Sequence, residues 1–90
     1  MTPFQKTTYN SIIQYLLNQQ TGFQFTLSSG FYLAAVPNLT LTAADKRAIG
    51  MYFRKQVQTG TISVAFDYLY GTCLRCGYKD SSNHIHYITI

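Results

Sequence analysis

The chain has 90 residues, 47% hydrophobic and 11% charged, enough for one small core and too few for a barrel or a doubly wound sheet. Seven Lys and Arg oppose three acids, giving +4 at pH 7. The acids are all Asp (Asp45, Asp67, Asp80), which leaves little for paired-carboxylate catalysis. No apolar run is long enough to span a bilayer. Met1 to Lys6 lacks the basic start and apolar stretch of a secretory signal, so the expected location is cytoplasmic.

Thr2-Pro3-Phe4-Gln5 predicts a helix start: Thr2 caps, Pro3 suits the first helical position and Gln5 completes a capping box. Tyr9, Ile12, Ile13, Leu16 and Leu17 follow at helical spacing, so helix 1 is expected over Pro3 to Gln19. Phe23 to Leu27 alternates apolar and polar residues, the pattern of a short strand. Ser28 or Ser29 is placed to cap a short second helix, Phe31 to Val36, which Pro37-Asn38 stops.

Thr42 is a good N-cap, and Asp45 adds negative charge where the helix dipole favours it. The third helix is expected to run to Thr59, with Gly60 closing it. Its apolar stripe is Ile49, Phe53 and Val57, with Tyr52 beside it. Gly50 in mid-helix costs about 1 kcal/mol relative to Ala. The usual reason for such a glycine is close approach by another backbone, from this chain or a partner. Thr61 to Tyr70 and His84 to Ile90 are rich in β-branched and aromatic residues. Around the polar stretch Gly71 to Asn83 they predict a hairpin with an extended tip.

The expected order is therefore helix, strand, helix, helix, strand, wing loop, strand, in one domain over residues 1–90. This is the order of an α+β winged helix-turn-helix domain. Leu41-Thr42, Asp45-Lys46-Arg47, Ile49-Gly50, Phe53 and Val57 add a resemblance. Between Leu39 and Gly60 the chain resembles small uncharacterised winged-helix-like proteins of bacteria and phages. The matching positions are helix caps and core, so the resemblance implies a fold and no catalytic residue.

Two clusters carry chemistry. On helix 3, Arg47, Arg54 and Gln58 lie opposite the apolar stripe, flanked by Lys46 and Lys55. A helix in a DNA major groove uses these residue types. Arg pairs bidentately with guanine, Gln with adenine, and Lys holds phosphates. An ordinary solvated face has the same composition. Arg75 and Lys79, beside Tyr70 and Tyr78 in the wing, would add backbone contacts. The remaining aromatics, among them Phe23, Phe25, Phe31, Tyr32, Phe66 and Tyr87, are expected in or around the core.

The second cluster is Cys73-x-x-Cys76 with His84-x-His86. Two residues between thiolates let both sulfurs face one metal ion. His84 and His86 share a face if both lie on a strand, so the four could form a structural zinc site. Free thiols, a local disulfide, or a metal shared across a dimer are alternatives. A closed four-ligand zinc has no open position for a substrate water, and Asp67 and Asp80 have no evident catalytic partner, so no enzyme activity is expected.

The function expected is double-stranded DNA binding, by a small regulator from a phage or another mobile element. The alternative is a module that binds and modulates a host protein, with Met51, Tyr70 and Tyr78 as anchors. A homodimer is compatible with both.

Overall fold

The computed structural model describes residues 1–67 and 84–90. Its elements are α1 (Pro3–Leu17), β1 (Gln24–Thr26), α2 (Ser29–Ala35), α3 (Ala43–Gln58), β2 (Val64–Phe66) and β3 (His86–Thr89). The result is a small α+β fold, three helices against a three-stranded antiparallel sheet, among the described residues. Element order agrees with expectation, while most elements are shorter. Tyr68 to Asn83, which includes the expected wing with Arg75, Lys79, Cys73 and Cys76, lies outside the described residues.

Both long helices start on capping boxes: the one at Thr2 and Gln5 is expected from sequence, and at α3 Asp45, expected only as a first-turn charge, completes a second with Thr42. The Gln5 amide N–H donates to Thr2 Oγ1 (3.1 Å), and the Thr2 N–H donates to Gln5 Oε1 (3.0 Å). At α3 the Asp45 N–H donates to Thr42 Oγ1, and Asp45 Oδ2 accepts from the Thr42 N–H, each at 3.1 Å. Gln5 Nε2 then donates to Asp45 Oδ1 (3.0 Å), so one side-chain bond joins the two helix starts. The amide uses its oxygen on its own cap and its nitrogen on its neighbour's. Ser28 is the N-cap of α2 but makes no side-chain capping bond. At the far end of α3, Gly60 adopts a left-handed φ of 70°, a conformation that costs glycine little and lets the chain turn out of the helix.

The sheet order is β1-β3-β2. The last strand in sequence is thus the central one. Phe25, Tyr87 and Phe66 stand opposite one another across the three strands. Their rings stack on the helix-facing side, Tyr87 lying 5.6 Å from both Phe25 and Phe66. Phe53, fully enclosed on α3, meets Tyr87 edge-on at 4.9 Å and Phe25 at 6.0 Å. On its other flank α3 receives α1 through Tyr9, edge-on to Tyr52 at 4.8 Å. Ile12 and Ile49 fill the space between the helices and are also fully enclosed. Aromatic pairs of these geometries contribute about 0.5–1.5 kcal/mol each beyond their buried area.

On the sheet's opposite side, Asp67 is 3% exposed and accepts from Gln24 Nε2 at 2.9 Å. The sequence offers no evident partner for Asp67. The structure supplies one because the central strand brings β1 and β2 to either side of His86 and Ile88. Thr89 ties the other end: its hydroxyl donates to the Gln20 carbonyl and accepts from the Phe23 N–H, both at 2.9 Å.

The Gln5 amide, followed by the Thr42 backbone N–H, holds the Asp45 carboxyl below its ordinary value. A carboxyl lowered in the folded state stabilises the fold above its unfolded value of about 3.9, and loses that effect as pH falls through the folded value. Asp45→Ala should therefore melt lower than the parent at neutral pH. The difference should narrow as the solution is acidified below about pH 4, as measured by thermal melts followed by circular dichroism.

Candidate nucleic-acid interface

An open groove of about 250 Å³ runs along the flank of α3. Lys46, Arg47, Gly50, Met51 and Arg54 form its helical wall. The opposite wall is the chain entering β3, His84 and Ile85, with Leu27 from the end of β1 and Tyr87 also lining it. Among the described residues, no carboxylate lines this groove. Three permanent cations and an apolar base therefore share one concave surface.

Helical geometry places the cations. Arg47, Gly50 and Arg54 follow one another at spacings of three and four residues along one flank, with Lys46 beside them. Ile49, Phe53 and Val57 are buried on the adjoining flank. Lys46 is half-buried, with Nζ 5.9 Å from the centre of the Tyr32 ring, within cation–π range. It therefore stands between the groove and the core, further inward than the edge of a solvated face. Arg54 is half-buried as well, and its Nε is enclosed. Burial pushes the Tyr87 phenol above its ordinary value, while the Arg54 guanidinium pulls it down and Tyr32 pushes it up. Those couplings place the Arg54 charge near the Tyr87 ring system at the base of the groove. Burial also pushes Tyr32 up to about 12. Both phenols stay protonated at neutral pH.

Arg47 is exposed, as are Lys55 and Gln58. Lys55 and Gln58 lie further along α3, beyond the groove lining. Of the seven residues expected to contact nucleic acid, the structure brings Lys46, Arg47 and Arg54 together, leaves Lys55 and Gln58 at the helix end, and does not describe Arg75 or Lys79.

The four expected metal ligands are only partly described. Cys73 and Cys76 lie outside the described residues. His84 precedes β3, is exposed and lines the groove beside α3. His86 is half-buried within β3, opposite Thr26 in the ladder. Only one of the pair is in the strand, so strand alternation does not place them on a common face. Among the described residues there is no group of three or more His, Cys, Asp or Glu arranged to hold a metal ion.

Gly50 is the groove residue that sequence patterning flags without explaining. Among the described residues a Cβ built there meets no atom within 4 Å, and its φ is not left-handed. The expected close approach by another backbone is not made within the described part of this chain. The missing side chain instead leaves the helical wall open.

In overall fold the chain is similar to a solved structure described as "SCCmec type IV LP1413 - nucleic acids binding protein". The TM-score is 0.64 and the identity 22%, over 100% of this chain and 91% of that one. No protein-family model matches the sequence, and no curated protein matches it. Among the described residues, no helix is long and apolar enough to cross a membrane.

Gly50→Ala should stabilise the fold by about 1 kcal/mol, the helix-propensity difference, because the added methyl meets none of the described residues. Urea denaturation of the two proteins measures this.

Proposed function

We propose that this protein binds nucleic acid as a non-enzymatic winged-helix domain, with α3 as its main contact element. The observation that carries the proposal is the convergence of Lys46, Arg47 and Arg54, with no carboxylate among the described lining residues, on one open groove. The helix order and the β1-β3-β2 sheet suit a winged helix-turn-helix, in which the second helix of the pair enters the major groove. The likeness in fold to a nucleic acids binding protein of SCCmec agrees with that class of partner and with a role on a mobile element.

In this proposal Arg47 and Gln58, both exposed, face base edges. Lys46 and Lys55 hold phosphates, and Arg75 and Lys79 in the wing add backbone contacts. The biological role is that of a small regulator on double-stranded DNA. Fluorescence anisotropy with labelled duplex DNA tests it. Binding should be measurable at low salt and weaken steeply as salt rises, through counterion release. Arg47→Ala should cost about 1–3 kcal/mol if it reads a base. Undetectable binding at low salt, or unchanged affinity in Arg47→Ala, would sink the proposal.

Met51, 68% exposed at the groove wall, and Leu33, 69% exposed on α2, favour a second reading as a host-protein module. Enrichment of one host protein from nuclease-treated lysate, with no affinity for duplex DNA, is the result that would support it.

We propose also that Cys73 and Cys76 hold a structural zinc ion with His84 and His86, clamping the segment between β2 and β3. Native mass spectrometry with and without chelator should then show one zinc per chain that chelation removes. It reports oligomeric state in the same spectrum. A metal-free protein would remove this site.

A further inference from the structure

We infer that the gap left by Gly50 seats one phosphate, with its sugar, of a nucleic-acid backbone, making this groove a sequence-independent contact distinct from base reading along α3. The inference rests on the nucleic-acid reading above and adds which part of the polymer enters the groove.

Three observations lead to it. Gly50 weakens its helix, and among the described residues neither φ nor packing requires a glycine there. The space it leaves lies between Arg47, one turn before it, and Arg54, one turn after it. Ile85 lines it from the β3 side, giving an apolar surface for a sugar beside the Arg54 charge for a phosphate.

The shape selects the ligand. A groove is concave, whereas reading base edges in a duplex requires side chains that project from a convex helix. The half-buried Arg54, with its enclosed Nε, is set back from the exposed face where Arg47 and Gln58 stand. A cation held at that depth meets a phosphate that enters the groove. Because every nucleotide carries the same phosphate, such a contact positions the polymer and carries no sequence information.

Gly50→Leu fills the gap without removing any charge. Gly50→Ala fills it less, and its methyl meets no described residue within 4 Å. Both variants and Arg47→Ala are compared with the parent on two duplexes of unrelated sequence, over a range of salt, with melting curves for each protein. The expected result is that Gly50→Leu melts no lower than the parent yet binds both duplexes about tenfold more weakly. Its slope of log affinity against log salt should fall by about 0.9, the value of one phosphate contact. Gly50→Ala should show a smaller loss in the same direction.

If the parent and Arg47→Ala behave as proposed and a folded Gly50→Leu binds like the parent, the groove seats no backbone. The general function would then stand without this contact. A loss confined to one of the two sequences would make the groove a base-reading site and overturn the inference as well. If the parent does not bind nucleic acid at all, the functional reading itself fails, and this inference with it.

Discussion

Tyr87 is the point through which the sheet, the third helix and the groove are built together. It sits in the middle of β3, the central strand, with Phe25 stacked on one side and Phe66 on the other. Phe53 from α3 meets it edge-on at 4.9 Å. The same residue lines the groove, where Arg54 lies close enough to influence its hydroxyl. The distance between α3 and the chain entering β3 is therefore set by a packed aromatic cluster. Close-packed interiors do not deform continuously. A groove standing on such a cluster keeps its shape, which a site for an extended anionic polymer requires if little is to be lost in ordering it.

The uneven surface charge follows from where the acids go. Asp45 closes the capping box of α3 and accepts from Gln5 of α1. Asp67 is buried under the sheet and accepts from Gln24. Both carboxylates are committed to structural hydrogen bonds away from the groove. Lys46, Arg47 and Arg54 thus face a groove with no acid among its described lining residues. A net charge of +4 is modest. Concentrating the cations on one surface produces a local potential that the net figure does not convey.

Local signals were legible wherever they depended on residues close in sequence. The capping box at Thr2–Gln5, and at α3 the Thr42 cap with Asp45 in the first turn, follow from side chains three positions apart. The buried stripe Ile49, Phe53 and Val57 follows from helical period. The strands came out shorter than the β-branched runs that announce them, because a strand extends only as far as its partner does. β1 and β2 pair with β3 over three residues each. Patterning placed Lys46, Arg47 and Arg54 on one helix, but read them as part of an outward face. Two of the three are half-buried, held beside Tyr32 and Tyr87, which are 14 and 33 residues away in the chain. His84 was noticed for its spacing from His86, and its position beside α3 gives it a second context that spacing does not carry.

The sequence by itself determined the helices, their start points, the apolar stripe of α3 and the positions of the basic residues along it. Each of these depends on backbone geometry and side chains within one or two turns. Only the tertiary structure decided that the last strand lies between the other two, that Gln24 reaches Asp67, and that Gly50, among the described residues, opens onto a groove. Those outcomes depend on groups brought together from opposite ends of the chain. A glycine reads identically whether its missing side chain admits a backbone or leaves a gap, until the residues around it are in place.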